Sequence, residues 1–431
     1  MSAVTPGDES LSPPALEELK TLHSAAVYKQ GALAAHLTRN SHGGVDFAYT
    51  PEWVASGRAP VATTLPVTAE PVVTAAGALP PFFSGLLPEG RRLGTLRRAT
   101  KTSPDDELTL LLAVGADTVG DVRVVADGWR DAPVEPHLSV SDFAQVRFAD
   151  IRAELAAEVD RVGLPGVQDK VSARMINLPA TAAGANVLLK LNPPEFKHLV
   201  DNEAFFLGAA RLAGIRTVDA RVVHDAVGEA GLVVTRFDRA AHTPTGTSPG
   251  TSPGTSPGTP IGARAVEDGC QVLGRYPSAK YAVTTEEVLG KLASLCEAPV
   301  PAAAEYLAQI VFAYLTGNGD AHAKNFSIIQ DRTGRWQPTP AYDLPSSQPY
   351  GDSTLALSLD GRRDGNISGA HFVALAEHLG VRARAARAII GRVASSADAW
   401  IGGLDELPFD GGTVHKLARV IRHRQELLRQ G

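Results

Sequence analysis

Short alternating runs open the chain and longer helical patterns close it. Ala25 to Tyr28 and Ala32 to Leu37, joined at Lys29-Gln30-Gly31, predict a hairpin, and Gly44 to Tyr49 a third strand, so a small β-rich module comes first. After the run Phe82-Phe83-Ser84-Gly85-Leu86-Leu87-Pro88-Glu89-Gly90, apolar residues between Leu93 and Leu112 recur mostly at helical spacing, and Val122 to Val125 return as a strand. Phe143 to Val162 is mixed. Gly163 to Met175 reads as a glycine turn entering a strand, and Asn186 to Leu191 as another. Asn202 to Ala213 predicts a helix with Phe205, Phe206, Ala209 and Leu212 on one face, stopped by Gly214. Ala220 to His224 and Gly231 to Phe237 complete the strand-rich half.

Thr243 to Pro260 holds three copies of Thr-Ser-Pro-Gly with no apolar side chain to bury, which predicts a solvated, flexible loop. Beyond it helical patterns dominate, notably Thr285 to Cys296, Ala302 to Thr316, His371 to Leu379 and Thr413 to Leu428. A small hairpin interrupts them, Phe326 to Gln330 and Trp336 to Pro340 around Asp331-Arg332-Thr333-Gly334. Strands with one helix followed by a mainly helical block suit an α+β, protein-kinase-like fold of two lobes. The expected division is a flexible N-terminus at 1–20, a β-rich subdomain at 21–140, an N-lobe at 141–240, the repeat loop at 241–260 and a helical C-lobe at 261–431.

With 431 residues, two or three domains or lobes are expected, and 44% hydrophobic against 20% charged residues is a globular balance. A formal charge of −6 makes the chain as a whole no electrostatic trap for nucleic acid. Cys270 and Cys296 make neither a disulfide framework nor a metal knuckle. The polar opening residues lack a secretory pattern, and no run approaches the roughly 20 apolar residues of a membrane span, so a soluble, cytoplasmic protein without membrane contact is expected.

The chemistry concentrates in Gly319-Asp320-Ala321-His322-Ala323-Lys324-Asn325 and Tyr342-Asp343. Phosphoryl transfer needs a carboxylate near the acceptor hydroxyl, oxygen ligands for magnesium and a cation on the phosphates. Asp320 and Asn325 stand five positions apart, the spacing of a kinase catalytic loop, and Asp343 follows across the predicted hairpin. Singly, Asp320 reads equally as a cap and Asn325 as a turn residue; the ordered triplet favours the site. Lys190 ends the apolar strand Val187-Leu188-Leu189, where an inward lysine needs an anionic partner, and Glu203 at the start of the next helix is the natural one; an exposed strand-end lysine is the alternative. Gly163 and Gly166 mark a turn whose amides could cover phosphates. Thr235-Arg236-Phe237-Asp238 lies where a hinge between lobes would offer its backbone to a base.

These segments resemble the HipA family of serine/threonine-protein kinase toxins. The matching pieces run in order through Phe83 to Gly90, Gly166 to Lys170, Leu189 to Leu191, Asp201 to Glu203, Arg236 to Arg239, Glu267 to Gln271, Gly319 to Ser327 and Tyr342-Asp343. The resemblance implies ATP and Mg2+ between the lobes, with Asp320 as base, Asn325 and Asp343 as metal ligands, and Lys190 on the phosphates. It further implies Pro165, Gly166, Val167, Gln168, Asp169 and Lys170 as the phosphate loop, Thr235, Arg236 and Phe237 around adenine, Asp238 on ribose, and His322, Lys324 and Tyr342 beside the nucleotide. A protein substrate, such as an aminoacyl-tRNA synthetase, and a HipB-like helix-turn-helix antitoxin that carries the DNA contact are the implied partners. Some members are silenced by phosphorylation of a serine where this chain has Gly163, with Ser172 nearby, and the Thr-Ser-Pro-Gly insert is foreign to the pattern. Two rival readings stand beside it: a small-molecule phosphotransferase, and a catalytically silent corepressor.

Overall fold

The computed structural model describes residues 15–75, 77–129, 138–140, 142–157, 176–182, 185–239 and 262–430. Two expected features, the turn at 163–170 and the repeat loop, lie outside them. Strands β1 (Ser24–Lys29) and β2 (Ala32–Arg39) form the expected hairpin. Gln30 and Gly31 both carry positive φ, 49° and 79°, as the tightest hairpin turn demands. β3 (Val45–Tyr49), helix α1 (Pro51–Ala55), β4 (Val72–Val73) and helix α2 (Pro81–Ser84) follow. The region expected as one helical stretch is two helices, α3 (Gly90–Ala99) and α4 (Glu107–Val114). Lys101 adopts φ 50° in the break, and Asp106 restarts the helix by accepting the Thr109 amide. β5 (Val122–Ala126) returns beside β1, giving an antiparallel sheet of order β4-β3-β2-β1-β5. Its core holds Phe47, Trp53, Leu79, Phe83, Leu108 and Leu111.

The second sheet contains β6 (Leu138–Val140), then, after helix α5 (Phe148–Ala157), β7 (Ile176–Ala182) and β8 (Ala185–Leu191). Helix α6 (Leu199–Leu212) precedes β9 (Ala220–His224) and β10 (Ala230–Thr235), and the order is β6-β7-β8-β10-β9. Strand alternation decides where Lys190 goes. Val187, Leu189 and Leu191 pack with Phe148 on one face, so Leu188 and Lys190 turn to the other, toward α6. Phe206 and Ala209 of α6 are buried as expected, but Leu212 is 63% exposed because the buried face of the last turn is carried by Ala209, Ala210 and Ala213 instead. Gly214, at φ 72°, ends the helix.

β11 (Val266–Asp268), whose Glu267 and Asp268 hid it in sequence, leads into helix α7 (Gly269–Val272) through an Asp268–Gln271 capping box. Helices α8 (Thr285–Leu295) and α9 (Pro299–Thr316) come next, α9 running through the centre of the C-lobe with nearly all of its last four turns buried. β12 (Ser327–Gln330) and β13 (Trp336–Pro338) are the expected hairpin, paired to β11. Helices α10 (Gly369–His378), α11 (Ala383–Trp400) and α12 (Gly411–Arg429) close the lobe. α11 escapes a hydrophobic-period search because alanines carry much of its seam: Ala386, Ala394 and Ala397 are buried beside Ile390, Val393 and Trp400. Among the described residues no helix is long and apolar enough to cross a membrane.

Candidate functional site

Lys190 is 8% exposed, and an ammonium there requires partners. Its Nζ donates to Glu203 Oε1 at 2.7 Å and Oε2 at 3.0 Å, and to Asp343 Oδ1 at 3.1 Å. Burial opposes the charge, but the Asp343 and Glu203 carboxylates outweigh it and hold the lysine proton above the ordinary range. Asn202, next to Glu203, exchanges bonds of 2.8 and 2.9 Å with Ser346, tying α6 to the segment after Asp343.

Asp343 itself sits at φ 58°, a backbone region that costs a non-glycine residue about 1 kcal/mol or more. Three contacts hold it: Lys190 on Oδ1, Asn325 Nδ2 on Oδ2 at 2.8 Å, and Asn318 Nδ2 on its carbonyl at 3.3 Å. Asn318 also accepts the Asp320 amide at 3.1 Å, so one carboxamide links the Asp320 loop to Asp343. Sequence reasoning passed over it, although it stands directly before Gly319-Asp320. Lys190, Glu203, Asp343 and Asn325 are thus one connected group.

Asp320 is 2% exposed and accepts the Tyr281 hydroxyl at 2.5 Å on Oδ1. His322 lies against Tyr281, ring centroids 5.1 Å apart at 71°. Burial pushes its imidazole down to about 4, the nearby Asp320 carboxylate resisting only in part, so the ring is neutral near pH 7. The His322 amide is taken by Asn325 Oδ1 at 3.0 Å, which orients the asparagine and turns its NH2 group toward Asp343.

A cavity of about 350 Å3 lies between the lobes. Lys190, Thr235, Arg236, Phe237, Asp238, Lys324 and Tyr342 line it, whereas Asp320, His322, Asn325 and Asp343 do not. Lys190 joins the two groups, on the cavity wall and on Asp343. Its floor includes Phe237 and Tyr342, with rings 5.7 Å apart, and the Tyr342 hydroxyl is anchored to Ser327 Oγ at 2.6 Å and to the Lys324 carbonyl at 2.7 Å. Its opposite wall was not foreseen. Gly85, Leu86, Leu87, Pro88, Val114 and Val119 come from the N-terminal subdomain, and the signal for them was the Leu-Leu-Pro-Glu-Gly run.

Several residues expected beside the nucleotide are already engaged by protein groups. The amides of Thr235 and Arg236 already donate to Asp219 and Asn186 carbonyls at 2.8 and 3.2 Å. The Arg236 side chain turns away to Asp117, at 2.9 and 3.0 Å, and to Asp238. Asp238 accepts from Arg236, from Arg239 at 2.6 Å and from the Gly120 amide at 3.0 Å; Oδ2 takes three of these four bonds, so a sugar hydroxyl has only Oδ1 to share with Arg236 Nε. Lys324, which lines the cavity, bonds the Gly85 carbonyl at 3.1 Å and Glu89 at 2.9 Å and lies 3.8 Å from Asp268, so its charge is answered by protein groups. Glu89 also binds Lys280. Burial opposes the Glu89 charge, but Lys324 and Lys280 outweigh it and pull its carboxyl down to about 2. The expected phosphate loop, Pro165 to Lys170, and the regulatory positions Gly163 and Ser172 lie outside the described residues.

The lysine, carboxylate and carboxamide group, joined to a cavity between two lobes, can be compared with known proteins. Residues 162–401 match the HipA-like C-terminal domain and residues 25–125 the HipA N-terminal domain. The chain belongs to the HipA family. Among curated relatives of this HipA-family chain, the putative kinase Y4dM of Sinorhizobium fredii is 30% identical over 300 residues, covering 65% of this chain and 66% of that one. The serine/threonine-protein kinase toxin HipA of Shewanella oneidensis is 28% identical over 340 residues, 74% of each chain. Of solved structures, the toxin–antitoxin complex of HipA, HipB and operator DNA from Shewanella oneidensis MR-1 contains a chain matching at a TM-score of 0.74 with 23% identity, covering 94% of this chain and 97% of that one. The HipA-family chain therefore has the α+β, protein-kinase-like two-lobed fold with a β-rich N-terminal subdomain and a mainly helical C-lobe.

Proposed function

We propose that the protein is an ATP-dependent serine/threonine-protein kinase of toxin type. The observation that carries this is the Lys190 ammonium, held between Glu203 and Asp343 while Asp343 reaches Asn325, the lysine–glutamate and metal-ligand pairing that phosphoryl transfer uses. A cavity of about 350 Å3 beside it falls within the range of small-molecule sites. The division into 21–140, 141–240 and 261–431 goes with the same reading.

Magnesium suits the donor set. Among the described residues no three His, Cys, Asp or Glu side chains form a metal cage, but magnesium is commonly held by one or two carboxylates together with substrate phosphates. Asp343 would hold the ion, joined by Asn325 only through Oδ1, the oxygen that here accepts the His322 amide, and the ion would neutralise charge on the phosphates. In this reading Lys190 binds the phosphates, Phe237 and the apolar wall from the N-terminal subdomain enclose the base, and Asp320 receives the proton of the acceptor hydroxyl. Lys324 and His322 serve the loop's own structure. Restraint by a HipB-like antitoxin, with DNA contacted through it, is supported by the likeness to the Shewanella HipA of known structure, and an unrestrained chain is expected to arrest growth.

Asp320→Asn tests the reading. Purified wild type with radiolabelled ATP and magnesium is expected to label protein in a bacterial extract, and the variant, equally folded, to label none; full labelling by the variant would remove Asp320 from its role. Phosphoproteomics on the same pair would name the target.

A further inference from the structure

The base does not stand alone. Tyr281 Oη donates to Asp320 Oδ1 at 2.5 Å, and its ring edge packs on His322. The backbone beneath it is held from two directions. Lys280 accepts the Ala323 amide at 3.2 Å, from within the Asp320–Asn325 loop, and the Tyr281 carbonyl accepts from Arg363 at 2.5 Å. Lys280 Nζ lies 5.3 Å from the centre of the Tyr281 ring and binds Glu89. The chain of contacts therefore runs from the N-terminal subdomain through Glu89, Lys280 and Tyr281 to the carboxylate.

We infer that Tyr281 is a positioning residue for Asp320, fixing the orientation in which the carboxylate meets the acceptor hydroxyl, and that Glu89 holds this strap in place through Lys280. The inference rests on the phosphotransfer reading above. In that step the acceptor oxygen bonds to phosphorus and the bond from phosphorus to the ADP oxygen breaks, ADP keeping the electron pair, while the hydroxyl proton passes to Asp320. A carboxylate free to rotate would meet that proton in only part of its orientations, and the alignment of reacting groups supplies much of a catalytic rate. Tyr281 stays a donor throughout, because burial and the Asp320 charge raise its hydroxyl far above the ordinary tyrosine range.

Tyr281→Phe keeps the ring and removes the hydroxyl. With radiolabelled ATP and a total bacterial protein extract as acceptor, kcat is expected to fall about tenfold, the size of one hydrogen bond to a charged group, while KM for ATP stays within about twofold. Glu89→Gln reaches the same hydroxyl without touching it and is expected to lower kcat in the same direction by less. The rise in melting temperature on adding ATP checks that each variant is folded. Wild-type kcat in Tyr281→Phe, or a loss seen only in KM, overturns the inference and leaves the kinase reading intact. A wild type that labels nothing overturns both.

Discussion

Lys190 and Lys324 form a natural pair for comparison. Each is buried and each has its ammonium set among carboxylates, Glu203 and Asp343 for the first, Glu89 and Asp268 for the second. They differ in whose carboxylates these are. Lys190 joins two elements of the kinase-like part and faces the cavity with one partner in the Asp343 loop. Lys324 reaches into the N-terminal subdomain, and its bonds to Glu89 and the Gly85 carbonyl fasten that subdomain to the Asp320–Asn325 loop, while Asp268 meets it from the C-lobe. Two buried lysines thus join different parts of the molecule, and only the geometry separates them.

The sharpest way to break the comparison is to remove each charge. Lys190→Met is expected to lower phosphate transfer by about 10²–10³-fold, the loss found when a preorganised electrostatic group is deleted. Lys324→Met takes the lysine from buried Asp268 and leaves Glu89 with Lys280 alone, and is expected to destabilise the fold by about 3 kcal/mol in urea unfolding, with transfer by the folded fraction falling far less than in Lys190→Met. Equal losses of transfer in the two variants would end the distinction.

A smaller effect tests how the subdomain is held. Glu267 accepts the Thr63 amide at 2.8 Å and its hydroxyl at 2.6 Å; burial pushes its carboxyl up to about 7 in spite of these bonds. Its raised value means the folded state keeps a proton that the unfolded chain loses, so its contribution is full below about pH 4.5 and is lost as pH rises toward 7. His322 runs the other way: lowered to about 4, it costs stability as pH falls below 6.5. Between pH 5 and 6.5 the two slopes oppose each other. Glu267→Gln removes one, so unfolding free energy measured in urea across that range should rise with pH by about 1 kcal/mol per unit relative to wild type. An unchanged slope would show that Glu267 ionises normally.

What could be read in advance follows from distance along the chain. The first hairpin, the Asp320–Asn325 spacing and the Lys190–Glu203 pair involve neighbours or short separations, and all three appear as expected. Asp343 was legible because an intervening hairpin fixes where the chain returns. The roles of Lys324, Asp238 and Arg236 were not, because their partners Gly85, Gly120 and Asp117 lie 239, 118 and 119 residues away, and pairing over such distances leaves no periodic trace. Leu212 misled for a related reason: helical spacing gives a face, but only the tertiary structure says where that face runs out. Tyr281 carried no signal beyond being a tyrosine beside a lysine.

The separation of 239 positions from Gly85 to Lys324 also sets a clock on biosynthesis. At the usual 5 to 20 residues per second, the N-terminal sheet leaves the ribosome about 10 to 50 seconds before the lysine that will fasten it exists. Throughout that interval the Leu-Leu-Pro-Glu-Gly run has no loop to grip. A chain released before Asp343 would carry the N-terminal sheet without the group that joins Lys190, Asn325 and Asp343.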